Sequence, residues 1–149
     1  MPAVLIIGCG DVGRRVARRE QADGHVVTAL ARSEASAGAL RALGIVPVRG
    51  DLDTPASLAG LAAAQSGVYY FAPPPATGRD DTRLRHFLAA IAGQQPRRLV
   101  YISTSAVYGD CRGEWVREDR SPRPDSDRGW RRLDAERQLS AWSSEQEVP

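Results

Sequence analysis

AVLIIGCGDVGRR, residues 3–15, decides the fold of this 149-residue chain. Ala3 to Ile7 is an unbroken apolar run, the pattern of a strand buried on both faces of a sheet. Gly8-Cys9-Gly10-Asp11-Val12-Gly13 follows at once and matches G-x-G-x-x-G. The match gains specificity from its setting, with a buried strand before it and a helix after it. Gly8 suits the tight turn, Gly10 lets the backbone approach a pyrophosphate, and Gly13 lets the helix pack close to the strand. The helix expected over Arg14–Ala22 then aims its free N–H groups and partial positive charge at the phosphates.

Working outward, Asp23-Gly24 ends that helix and a second strand is expected over 25–30. A small-residue helix fits 33–43, and Gly44 stops it. A third strand is expected over 45–49, where Pro47 favours an edge position. A short helix is expected over 55–64 and a fourth strand over 68–72, closed by Pro73-Pro74-Pro75. Leu84, Phe87, Leu88 and Ile91 mark the buried stripe of a helix over 80–92. A fifth strand fits 98–103. The stretch 109–128, rich in Gly, Pro, Asp, Arg and Ser, reads as loop. Ala135, Leu139 and Trp142 line a last helix over 129–143. Strands alternating with helices imply an α/β fold with right-handed crossovers, a doubly wound parallel sheet of order 3-2-1-4-5. The expected organisation is a single domain over 1–149.

Composition narrows the function classes. Positive residues number 20 against 18 acids, for a net charge of +2. The arginines are spread and balanced by acids, so they read as solvated faces and not as a nucleic-acid footprint. No run of 18 apolar residues is present, which excludes a helical membrane span. The N-terminus lacks a charged segment before its apolar run and does not read as a secretory signal. The two cysteines, Cys9 and Cys111, stand far apart, and the expected setting is a reducing cytoplasm. Neither lies near another Cys or His at ligand spacing, so no metal site is expected. All 20 positive residues are arginine, and asparagine is also absent, a pattern read as codon bias. Chemistry that requires a lysine is therefore closed to this chain.

The end of the second strand selects the dinucleotide. A site for NAD usually has Asp or Glu there, bonded to the ribose 2′-OH. Here the text is Leu30-Ala31-Arg32-Ser33, with Glu34 only later. Arg32 can fork a 2′-phosphate, Ser33 is a second donor, and Arg14 can also reach the phosphate. The expected cofactor is NADP, with NAD the alternative.

Four places together resemble the extended and atypical short-chain dehydrogenase/reductase proteins, the NAD(P)-dependent epimerase/dehydratase group. They are the glycine turn, Gly50-Asp51-Leu52-Asp53, Tyr70-Phe71-Ala72-Pro73 and Ser103-Thr104-Ser105-Ala106-Val107-Tyr108-Gly109. Glu118, Pro122 and Pro124 also resemble the loop before the family's catalytic helix. The likeness spans almost the whole chain and implies a Rossmann fold. It implies that Asp51 contacts the adenine, Leu52 flanks it, and Phe71 and Ala72 lie along the cofactor. It gives Thr104 the role of orienting the substrate oxygen.

The family's proton chemistry uses a Tyr-x-x-x-Lys pair followed by Glu. Matching that Glu to Glu136 places Arg132 at the lysine position and Arg128 at the tyrosine position. Arg132 keeps the charge and can donate to the nicotinamide ribose. Arg128 cannot replace a phenol, because arginine holds its proton near neutral pH. Tyr108 reads as a packing residue and His86 as a surface histidine.

The sequence also stops where the family's sixth strand and C-terminal substrate domain would begin. A truncated form, a proteolytic or sequencing product and a natural short protein all stay open. The expectation is a bare sheet edge and last helix, and hence a homo-oligomer. Two readings follow. One is an epimerase-, dehydratase- or reductase-like protein acting on a sugar nucleotide or other small carbonyl or hydroxyl metabolite. The other is a non-catalytic dinucleotide-binding or redox-sensing module.

Overall fold

The computed structural model describes residues 3–149. Its strands are β1 (Ala3–Ile7), β2 (Val26–Ala31), β3 (Val46–Arg49), β4 (Ser66–Tyr70) and β5 (Arg98–Tyr101). Its helices are α1 (Asp11–Ala22), α2 (Glu34–Arg41), α3 (Thr82–Ala90) and α4 (Asp127–Gln146). All strand pairings are parallel and the order is β3-β2-β1-β4-β5, as the alternation of strands and helices requires. Pro47 sits on the edge strand β3, where a missing N–H costs least.

The apolar run of β1 is explained by its two buried faces. Val4 and Ile6 join Ala17, Val27 and Leu40 in a core beneath α1 and α2. Leu5 and Ile7 join Tyr70, Phe87, Ala135 and Trp142 in a core beneath α3 and α4. Side chains alternate across a strand, so a strand covered on both sides must be apolar throughout.

Several boundaries differ from the sequence expectation, each for a local reason. α1 begins at Asp11, so Val12 and Gly13 lie inside its first turn. The expected helix over 55–64 is a single 3₁₀ turn, Pro55–Leu58, and Gly60 follows it closely. β4 starts at Ser66 and ends at Tyr70, two residues early at each end. β5 ends at Tyr101, and the segment beyond it runs extended to Thr104, which caps an unforeseen 3₁₀ turn at Ser105–Tyr108. α4 is longer than expected, because the Ser126 hydroxyl accepts from the Gly129 N–H at 3.1 Å and caps it.

β5 is an edge strand as expected, with Val100 exposed, and the C-terminal residues touch it at one point. The chain turns back after α4 through Glu147 in the left-handed region, and Val148 is buried against the second core. The Leu99 N–H donates to the Pro149 carbonyl at 2.8 Å. Among the described residues, no helix is long and apolar enough to cross a membrane.

At the opposite end of the sheet from the glycine turn, Glu20 is buried with only 7% of its surface exposed. The Tyr69 hydroxyl donates to one carboxylate oxygen, and the His25 ring bonds to the other. Arg98 reaches the same site, donating to the Tyr69 oxygen at 2.9 Å. Burial alone raises the Glu20 carboxyl, but the bonds from Tyr69 and His25 and the charges of His25 and Arg98 outweigh it. The carboxyl is therefore held below the usual range, so its contribution to stability is present above the ordinary glutamate value. It is lost as pH falls through the lowered one. Glu20→Gln should reduce urea-unfolding stability at neutral pH by about 1–3 kcal/mol. The deficit relative to wild type should shrink on acidification below about pH 4. A deficit that stays constant with pH would show that the carboxylate charge is not what counts.

Candidate cofactor site

The site is assembled at the carboxyl ends of the strands, between β1 and β4, where the crossovers diverge to opposite faces of the sheet. The glycines have separate tasks there. Gly8 has φ +93°, and a Cβ on it would stand 2.3 Å from the Ala72 nitrogen. A Cβ on Gly13 would stand 2.8 Å from the Gly8 carbonyl oxygen. A Cβ on Gly10 would meet nothing within 4 Å. Gly8 and Gly13 are thus required by packing, whereas Gly10 presents bare backbone to open space. Gly10 is also the N-cap of α1 and provides no side-chain cap, so first-turn N–H groups remain for an anion. The Asp11 carboxylate is turned onto Arg15 at 3.1 Å. These features fit a pyrophosphate.

Three adjoining pockets form one groove across this end. The middle one is lined by Gly10, Asp11, Val12, Phe71, Ile102 and Arg132. Gly8 leads from it into a second pocket with Asp51, Leu52, Ala72 and Arg83. Leu30 and Arg32 lead from there into a third, with Cys9, Arg14, Ser33 and Ser36. All the expected cofactor residues therefore line a single groove. Thr104 lines none of the three pockets.

Local folding sets each side chain. Ser33 is the N-cap of α2, and its hydroxyl accepts from the Ser36 N–H at 3.1 Å. Glu34 is drawn away from the groove by Arg41 at 2.6 Å and Arg49 at 3.7 Å. The hydrogen bond and charge of Arg41 keep its carboxyl below the usual range. Among the described residues, Arg14 and Arg32 enter no ion pair. Burial raises the Cys9 thiol against the pull of Arg14, so the thiol stays neutral beside them. Asp51 shapes its own loop, its carboxylate accepting from the Asp53 N–H at 2.9 Å.

On α4, Arg132 donates through Nη1 to the Tyr101 hydroxyl at 3.0 Å and to the Ile102 carbonyl at 3.1 Å. Burial holds the Tyr101 phenol above its ordinary pKa, although Arg132 draws it down. Glu136, one turn on, accepts from the Ser103 hydroxyl. Thr104 accepts from the Ala106 N–H through Oγ1 at 3.4 Å. Arg128 lies exposed in the first turn of α4.

Arg83, which sequence reasoning did not place in the site, lines its wall, and His86 braces a loop of that wall through the Leu52 carbonyl. Arg83 stands in the first turn of α3 beside the loop after β3, and no motif marks it. His86 is not a free surface histidine, because its Nδ1 bonds to the Leu52 carbonyl at 2.6 Å. The helical stripe hinted at this only by setting His86 at the edge of the apolar face. Among the described residues, no three His, Cys, Asp or Glu side chains gather as a metal site.

The groove and fold define a nicotinamide-dinucleotide-binding protein of the α/β class. The family described as NAD(P)H-binding matches residues 8–134, and the chain belongs to it. Its cofactor is a nicotinamide dinucleotide, and its fold is that of the epimerase/dehydratase proteins. The UDP-glucuronic acid 4-epimerase of Bacillus cereus, solved as a point mutant with a fluorinated UDP-sugar and NAD, is similar over 99% of this chain and 54% of its own. The identity there is 20% and the TM-score 0.77. The UDP-N-acetylglucosamine 4-epimerase of the same organism is similar at 18% identity and TM-score 0.79, over 99% of this chain and 55% of its own. A Methylobacillus flagellatus protein described as an NAD-dependent epimerase/dehydratase is 31% identical, with TM-score 0.76, over 95% of this chain and 51% of its own. The chain thus spans about half the length of these solved structures. No curated protein sequence matches it.

The glycine geometry separates binding from stability. If the turn holds a pyrophosphate as its motif implies, Gly10→Ala should weaken NADPH binding about tenfold or more, since its Cβ would enter that space. It should leave the unfolding midpoint nearly unchanged. Gly13→Ala should lower stability by about 1–3 kcal/mol through the clash with Gly8. Calorimetric titration and denaturant unfolding of both variants check this, and matched losses in the two would contradict it.

Proposed function

We propose that the groove binds NADP(H) ahead of NAD(H). In this reading it serves hydride chemistry on a sugar nucleotide or similar carbonyl or hydroxyl metabolite. The observation that carries the cofactor preference is the pocket at the end of β2. Arg14 and Arg32 face it and, among the described residues, enter no ion pair, while Glu34 is held by Arg41 and Arg49. Two guanidinium groups beside the N-terminus of α2 suit a 2′-phosphate, for which planar forked donors are well matched. The Bacillus cereus epimerase is described with NAD, so the preference for NADP rests on this chain's own residues.

In this reading, residues 1–149 act as the NAD(P)-binding domain. Gly8, Gly10 and Gly13, with Asp11 and Val12 between them, frame the pyrophosphate. Arg32 and Ser33 take the 2′-phosphate, and Asp51 and Leu52 hold the adenine. Phe71 and Ala72 run along the cofactor, and Arg132 donates to the nicotinamide ribose. Thr104 keeps its hydroxyl proton free to polarise a substrate oxygen. When bound, the nicotinamide supplies the hydride donor or acceptor. The sugar-nucleotide class is supported by the UDP-sugar named for the Bacillus cereus epimerase.

A second reading, a dinucleotide-binding module without proton chemistry, is favoured by Arg128. It occupies the expected phenol position, lies exposed and cannot release a proton near neutral pH. The loss of general acid–base catalysis is worth roughly 10²–10⁴ in rate. Oxidation of NADPH by any member of a carbonyl panel would favour the enzyme, and binding with no oxidation would favour the module.

Calorimetric titration tests the cofactor directly. Wild type should bind NADPH more tightly than NADH. Arg32→Ala should weaken NADPH binding by about 10–100-fold, the value of one or two charge-assisted bonds, and leave NADH unaffected. Equal affinities in wild type, or equal losses in the variant, would overturn the NADP preference.

A further inference from the structure

Arg83 and His86 stand one helical turn apart on α3, and both reach the loop after β3. Arg83 donates through Nε and Nη2 to the two carboxylate oxygens of Asp53, at 2.8 and 2.7 Å. Its Nη1 donates to the Pro73 carbonyl at 3.2 Å and the Pro74 carbonyl at 3.4 Å. His86 takes the Leu52 carbonyl of the same loop. One guanidinium therefore ties together α3, the proline segment after β4 and the loop after β3. It does so while lining the pocket that Asp51 and Leu52 enter. The Arg83 side chain is only 22% exposed.

Other contacts fix where this loop starts and curl it on itself, the Thr54 N–H donating to the Asp51 carbonyl at 2.9 Å and the Asp53 N–H to the Asp51 carboxylate at 2.9 Å. A Cβ on Gly50 would stand 3.0 Å from both Leu30 and the Ser57 carbonyl, so the loop enters tightly beneath Leu30. The Asp51 N–H then donates to the Ser57 hydroxyl at 2.8 Å. The Asp53 carboxylate, further along, is what ties this curled loop to α3, through the fork from Arg83. Exposed ion pairs usually contribute little, but a bidentate fork with fixed geometry also sets orientation. The hydrogen bond and charge of Arg83 hold the Asp53 carboxyl below the usual range, consistent with a formed pair.

We propose that Arg83 is a positioning residue of the groove. Its fork on Asp53 fixes the 50–53 loop as the wall of the adenine-end pocket, so the fit to an adenine nucleotide depends on this pair. The inference rests on the reading that this end of the groove takes the adenine.

ADP is the probe, titrated calorimetrically against wild type, Arg83→Met, Asp53→Asn and the double variant, with the unfolding midpoint of each measured alongside. Arg120→Met, which removes an exposed pair with Glu114 far from the groove, is the control. Each single variant should weaken ADP binding about tenfold, the double variant no more than either, and the control not at all. Arg83→Lys keeps the charge without the fork and should recover only part of the affinity. Unchanged ADP affinity in Arg83→Met, or losses that multiply in the double variant, would overturn the proposal. So would a change confined to the unfolding midpoint, which is what a purely structural pair would give. If Arg83→Met does not fold, Asp53→Asn and Arg83→Lys carry the same decision. If wild type binds neither ADP nor NADPH, the cofactor reading itself fails. NADPH binding with no effect of Arg83 sinks this inference alone.

Discussion

The constraint on which the structure depends is the near contact between two backbones. Gly8 passes so close to Ala72 that no side chain fits between them, and Gly13 presses on Gly8 from the other side. β1 and β4 are neighbours whose connecting helices leave to opposite faces, so a crevice opens above their junction. The glycine contacts draw α1 down onto that junction. The helix N-terminus then aims into the crevice instead of standing away from it. The remaining elements supply the walls: Arg32 from the end of β2, Asp51 from beyond β3, and Ile102 from beyond β5.

The charge of the groove follows from who is paired with whom. A net charge of +2 over the whole chain says little about any one site. Locally, Asp11 is held by Arg15, Glu34 by Arg41 and Arg49, and Asp53 by Arg83. Each of these acids near the groove mouth thus has its own arginine, while Arg14 and Arg32 remain unengaged among the described residues. Because every cation is a guanidinium, each paired one can fork a carboxylate and also reach a carbonyl, as Arg83 does. A lysine ammonium at Arg83 could not hold both Asp53 oxygens in that planar geometry.

The sheet order and the glycine turn were legible because they rest on local patterns: apolar runs of strand length, breaks at Gly and Pro, and the spacing of Gly8, Gly10 and Gly13. Edge placement of β3 was legible from Pro47 alone. What escaped were features whose partners lie far apart in the chain. Arg83 and Asp53 meet across 30 positions, and His86 and Leu52 across 34. Glu20 and Tyr69 meet across 49. In each case the helical pattern shows which face a residue occupies, but not what the opposite element presents. The expected helix over 55–64 failed for a different reason. Its Ala and Leu content favours helix, but Gly60 lies too close to Pro55 for the pattern to propagate.

Arg132 and Arg128 stand one turn apart on α4 in different surroundings. Arg132 is anchored by the Tyr101 hydroxyl and the Ile102 carbonyl, and it borders the groove beside the glycine turn. An arginine so fixed holds a positive charge and donates hydrogen bonds at every accessible pH. It cannot cycle a proton, and neither can Arg128 one turn earlier. The Tyr101 phenol nearby faces the interior packing of β5 against Tyr70, with ring centroids 6.1 Å apart, and burial keeps its proton in place. The groups assembled here therefore suit the holding and orienting of a dinucleotide. Hydride transfer along it would draw its proton from a substrate, a water or a side chain beyond this groove.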